Sequence, residues 1–196
     1  MTVVLVDAGG TNIGSVRYAL QRLGADAALT SDAAAIRAAD KVILPGVGAA
    51  GPGMARLREL GLVDLLRSLT QPVLGVCLGM QLLCAHSEEG DTECLGLIPA
   101  RVRRFVERPG LRVPHMGWSP LSVQREHPLL AGLDEGEQAY FVHSYAVPVG
   151  EWTLATADYG DAFSAVVARG NFHGMQFHPE RSAAVGAKLL RNFLAL

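Results

Sequence analysis

Two short stretches of this 196-residue chain carry residues in patterns suited to nucleophilic catalysis. The first is Gly75-Val76-Cys77-Leu78-Gly79, between an apolar strand-like run, Pro72 to Val76, and a helical segment, Met80 to Cys84. A sharp strand-to-helix turn that lifts a nucleophile out of a sheet needs small residues two positions before and two after it. Cys77 then stands at a helix N-terminus, where free N–H groups and the helix dipole favour thiolate over thiol. The N–H of Leu78 points to where an oxyanion would form. Cys84 and Cys94 lack flanking glycines and read as buried packing thiols.

The second stretch is Gln176-Phe177-His178-Pro179-Glu180. A residue before proline is pushed to extended geometry, and in an extended chain residues two apart project from the same side. Glu180 can therefore hold one imidazole nitrogen of His178 while the other faces a thiol, an arrangement of nucleophile, base and orienter. His173 lies five residues before His178 and falls on the opposite strand face. His86, His115 and His127 read as surface or packing residues. With no C-x-x-C or H-x-x-x-H pair, neither a metal site nor a cofactor is expected. Gly9 to Gly14 lacks the phosphate-binding patterns and reads as a strand-to-helix turn.

These residues need a scaffold, and the chain length suits one domain spanning residues 1–196. Hydrophobic residues make up 49% and charged residues 18%, which excludes a disordered chain. A net charge of −2 gives no electrostatic reason for a nucleic-acid or anionic-membrane partner. No apolar run reaches the roughly 18 residues of a membrane span. The N-terminus has no signal-peptide features, and three cysteines are too few for a disulfide framework. A cytoplasmic protein is expected.

The first half alternates strand and helix signals. Strands are expected at Val3 to Val6, Ala27 to Thr30, Lys41 to Leu44 (stopped by Pro45-Gly46) and Pro72 to Val76. Between them lie a helix with the stripe Val16, Leu20, Leu23 closed by Gly24, a helix Ala33 to Ala39 capped by Asp32, and one long helix Met54 to Leu69. The second half reads as strands: Arg101 to Val106 and Leu111 to Met116 joined by a turn at Pro109-Gly110, then Gln138 to Val147, Thr153 to Ala157, Ala162 to Ala168 and Phe172 to Phe177. A helix at Lys188 to Leu194 closes the chain. The expectation is an α/β fold: a mostly parallel central sheet flanked by helices, with an antiparallel extension.

Gly-Val-Cys-Leu-Gly-Met-Gln around Cys77 and the distant His178-Pro179-Glu180 resemble the class I, or triad, glutamine amidotransferases, whose sheet is flavodoxin-like. Pro45-Gly46-Val47-Gly48, Pro114-His115-Met116-Gly117-Trp118, Tyr140 to Tyr145 and Gly174 to Ser182 narrow the resemblance to the glutaminase subunits of imidazole glycerol phosphate synthase. It implies that Cys77 attacks glutamine, with His178 and Glu180 completing the triad. The oxyanion hole would use Leu78 and the Gly46-Val47 segment. Glutamine would be held by Gly48, Gln81, Glu89 (or its neighbour Glu88), Ser144 and Tyr145.

The implied partner is a (β/α)8-barrel cyclase subunit, met by Asn12, Met116, Trp118, Tyr140 and Arg181. Ala8, Ser119 and Arg181 depart from the residues usual in the family. A glutaminase subunit of another pathway, such as anthranilate or pyridoxal phosphate synthesis, fits the Pro-Gly-Val-Gly and Pro-His-Met-Gly-Trp blocks less well. A non-catalytic module would not be expected to keep Cys77, His178 and Glu180.

Overall fold

The structure, a computed structural model, describes residues 1–9 and 13–196. Asn12, expected at the partner face, lies outside the described residues, as do Gly10 and Thr11 of the Gly9 to Gly14 turn. In chain order the first half runs β1 (Val3–Val6), α1 (Ile13–Arg22), β2 (Ala27–Thr30), α2 (Ala33–Ala38), β3 (Lys41–Gly46), α3 (Ala50–Glu59), α4 (Val63–Ser68), β4 (Val73–Cys77) and α5 (Leu78–Leu83). There follow β5 (Cys84–Ser87), β6 (Thr92–Glu93), β7 (Ile98–Arg104), β8 (His115–Pro120), β9 (Ser122–Val123), β10 (Gln138–His143) and β11 (Tyr145–Ala146). The chain closes with β12 (Thr153–Tyr159), β13 (Asp161–Arg169), β14 (Phe172–Met175) and α6 (Ala183–Ala195).

The central sheet has eight strands in the order β2-β1-β3-β4-β14-β13-β12-β9. The strands from β2 to β14 pair in parallel, and β13, β12 and β9 extend the sheet antiparallel. This is the expected mostly parallel sheet with its antiparallel extension.

Continuous apolar runs are explained by burial on both faces. Val3 and Leu5 enter one core with Val16 and Leu20 of α1 and Leu189 and Phe193 of α6. Val4 and Val6 enter the other with Met54, Leu57, Leu65 and Leu66 of α3 and α4. Each such side chain contributes about 1.5–3 kcal/mol on leaving water.

Several elements differ from expectation. The strand β3 does not stop at Pro45 but runs through it to Gly46. The Val42 N–H donates to Pro72 on the β4 side, so alternation turns Pro45 toward β1, whose pairing has ended at Ile43. The helix expected from Met54 to Leu69 is two helices, parted where Gly61 adopts φ +66°. Arg101 to Met116 is not a hairpin. A turn closes between Arg108 and Leu111, but β7 pairs with β5 and β11, while β8 pairs with β10. Gln138 to Val147 divides at Ser144 between those same two sheets.

Candidate active site

The carboxyl ends of β3, β4 and β14 lie side by side, with Gly46 in register with Cys77 and Met175 with Val76. At the end of β4, Cys77 takes φ 54°, ψ −111°, a left-handed conformation costly for any residue but glycine. The glycines around it make this turn possible. A Cβ on Gly79 would lie inside the carbonyl oxygen of Leu44, and one on Gly75 would come within 2.6 Å of the Gly79 backbone. Helix α5 is thus seated directly on β3 and β4, and Leu78 begins it with a backbone N–H that has no earlier helical turn to pair with. At six residues α5 has little dipole, so charge balance for a thiolate falls mainly to the neighbouring imidazole.

That imidazole is His178, which follows β14 and opens a short 3-10 turn at Pro179–Arg181. Its backbone N–H donates to Tyr140, and its carbonyl accepts from the Ser182 hydroxyl at 2.7 Å. Gly186 of α6 packs against the Pro179 carbonyl where any Cβ would clash. The turn is therefore held from three directions.

His178 Nδ1 lies 3.0 Å from Oε1 of Glu180, and both side chains are buried. Burial opposes charge on the ring, but hydrogen bonds to Cys77 and Glu180 and their negative charges outweigh it, raising the pKa to about 10. With Nδ1 held by the carboxylate, Nε2 is the nitrogen left to face the thiol. Such a pair can pass a proton between a sulfur-bound reaction centre and the ring while the carboxylate stabilises the imidazolium.

Cys77 and His178 open onto a cavity of about 420 Å³, within the range of about 300–1,000 Å³ typical of small-molecule sites. Val47, Gly48, Leu78, Gln81, Glu89, Ser144, Tyr145 and Arg181 share its wall. Gly46 instead lines a small recess with Pro45 and Val76, and Glu180 stands behind the imidazole. Of the two neighbouring acids, Glu89 reaches the cavity and accepts from the Ala50 N–H at 2.8 Å. Glu88 turns away to the Arg104 N–H and Arg101. The Gln81 amide donates to the Tyr145 carbonyl and to Gln176 Oε1, both at 2.9 Å, which leaves its own oxygen as the group able to meet a ligand.

Beside the cavity, Met116 and Trp118 stand exposed on β8. Trp118 meets Tyr140 edge-on at 5.7 Å, and the Arg181 guanidinium lies 4.2 Å over the Tyr140 ring. His173 is buried against α6, with its ring 6.2 Å from Phe193.

Residues 4–196 match the family model described as "Glutamine amidotransferase class-I". The chain belongs to the class-I glutamine amidotransferase family. It is 60% identical over 194 residues to "Imidazole glycerol phosphate synthase subunit HisH" of Xanthomonas euvesicatoria pv. vesicatoria, covering 99% of this chain and 97% of that one. A protein of the same name from Xylella fastidiosa is 57% identical, with the same coverage. A solved structure described as a glutamine amidotransferase superposes with a TM-score of 0.77 at 24% identity, over 100% of this chain and 98% of the other, which shows the shared fold.

In this amidotransferase, sequence reasoning missed one group at the site. His143, which lines the cavity, joins His115 and Ser119 in a buried polar cluster. The signal available was alternation: Ala139, Phe141 and His143 occupy the buried face of β10, so His143 needed buried partners.

Proposed function

We propose that this amidotransferase hydrolyses glutamine and supplies the ammonia to the cyclase subunit of imidazole glycerol phosphate synthase, in histidine biosynthesis. The observation that carries the chemistry is Cys77 and His178 together on the cavity wall, with Glu180 bound to the imidazole from behind. The near full-length likeness to two HisH proteins supports the pathway.

The Cys77 thiolate attacks the side-chain amide carbon of glutamine, and the N–H groups of Leu78 and of the Gly46-Val47 segment receive the oxyanion. The imidazolium of His178 gives its proton to the departing nitrogen, and ammonia leaves. The neutral ring then takes a proton from water as the hydroxyl attacks the γ-glutamyl thioester. Collapse releases glutamate and restores the thiolate, with Glu180 holding the imidazolium at both ends of the cycle. Gly48, Gln81, Glu89, Ser144 and Tyr145 bind the amino acid.

Met116, Trp118, Tyr140 and Arg181, together with Asn12, meet a (β/α)8-barrel cyclase that receives the ammonia, and both work in the cytoplasm. Among the described residues no helix is long and apolar enough to cross a membrane. Cys77→Ala tests the assignment. With the cyclase present, glutamine-dependent product formation should disappear while formation from added ammonia persists. Substantial glutamine hydrolysis by that variant would overturn the nucleophile.

A further inference from the structure

Behind the glutamine-facing wall, buried side chains form a continuous line of hydrogen bonds. His143 Nδ1 is 2.7 Å from the Tyr145 carbonyl, which can only accept, so that nitrogen carries the proton. In a neutral ring Nε2 must then accept, and its partner at 3.1 Å is Nδ1 of His115. His115 is thereby also an Nδ1–H tautomer, and its Nε2 accepts from the Ser119 hydroxyl at 2.9 Å. Burial keeps both rings uncharged, lowering His115 to about 4 and His143 to about 3.

The far end of this line is the Tyr145 carbonyl, which also accepts the Gln81 amide. Gln81 is held in turn by Gln176, whose Nε2 lies 3.9 Å from the Cys77 sulfur. The near end lies on β8, the strand whose opposite face carries Met116 and Trp118. The rings are wedged in place by aromatic neighbours: Tyr159 stacks on His115 at 4.1 Å, and Phe105 meets His143 at 5.1 Å.

We propose that His115 and His143 are positioning residues, a two-imidazole relay that fixes the Tyr145 carbonyl and through it the Gln81 amide for glutamine. The role rests on the glutaminase reading above. Neither ring transfers a proton in it; each holds one tautomer, which orients the next acceptor. Gln81 keeps its oxygen toward the ligand only while both of its N–H groups have fixed acceptors. Losing one buried link costs about three- to tenfold in ligand affinity.

The ring tautomers are read from nitrogen-15 NMR of the wild-type chain with labelled histidine. Both His115 and His143 should be Nδ1–H near pH 7; an Nε2–H ring at either position overturns the relay. Kinetics with the cyclase present read the role. His115→Leu should raise the KM for glutamine about three- to tenfold with kcat changed less than about twofold. His115→Asn, whose amide N–H replaces Nδ1–H, should return KM to within about twofold. A lowered kcat at unchanged KM, or no rescue by asparagine, would mean the pair only supports the fold and would overturn the proposal. A wild-type chain without glutaminase activity would remove the function and this role together. The tautomers, read on the wild type, report on the relay separately.

Discussion

Gly46 of β3 is the register partner of Cys77 at the end of β4, so the Gly46-Val47-Gly48 segment and the nucleophile leave the sheet together. Helix α5 closes over both strands, with Gly79 against the Leu44 carbonyl. The elbow is thus a three-part contact in which one strand supplies the thiol and its neighbour supplies both a cavity wall and the seat for the helix.

That contact predicts a sharp contrast between glycines. Gly79→Ala puts a methyl group into backbone that cannot retreat, and should lower unfolding free energy by about 3 kcal/mol and abolish activity. Gly14→Ala, in the first turn of α1 with the flexible Tyr18 ring as its neighbour among the described residues, should be neutral or slightly stabilising. Urea unfolding of the two variants checks this, and equal stability would contradict the seating of α5.

His178 and Glu180 give a pH signature. Against burial, Cys77 and Glu180 together raise the folded-state pKa to about 10 from the ordinary 6.5, so their contribution to stability is fully present below pH 6.5 and is lost as pH rises through about 10. The stability gap between wild type and Glu180→Gln should therefore be wide near pH 6.5 and narrow toward pH 10. The kcat/KM for glutamine should fall about a hundredfold or more. A gap that does not vary with pH would count against a carboxylate-held imidazolium.

Acid should destabilise the chain through other histidines. Burial lowers His115 and His173 to about 4 and His143 to about 3, so each costs no stability above pH 6.5 and progressively more as pH falls toward those values. His173→Leu should flatten the acid limb of stability against pH by up to about 1.4 kcal/mol per pH unit. An unchanged slope would show that His173 is not buried as a neutral ring.

The cluster of exposed Trp118 and Arg181 around half-buried Tyr140 has the composition of an interface anchor. Trp118→Ala should weaken cyclase binding by about 2 kcal/mol or more while leaving the melting temperature within experimental error. Titration calorimetry measures the first and thermal unfolding the second. A large fall in stability would mark Trp118 as a core residue.

What could be read from sequence was what depends on near neighbours. The glycines flanking Cys77 and the proline between His178 and Glu180 act within five residues, so local geometry declares them. The Asp32 cap is equally local, and its carboxylate accepts from the Ala35 N–H at 2.7 Å. Pairing across the chain was not legible in that way. Whether Pro45 ends β3 depends on which neighbour its missing N–H would have met, and the division of Gln138 to Val147 depends on two different sheets claiming its halves. His115 and His143 escaped for the same reason. Their meaning arises only from register: they face each other as partners across β8 and β10.

In the proposed function Cys77 is a glutaminase nucleophile in the service of a partner. Glutamine hydrolysis by the purified chain, measured alone and with the cyclase subunit and its ligand, tests that directly. Weak activity alone and strong stimulation by the liganded cyclase is the predicted result. Hydrolysis indifferent to the cyclase would contradict it.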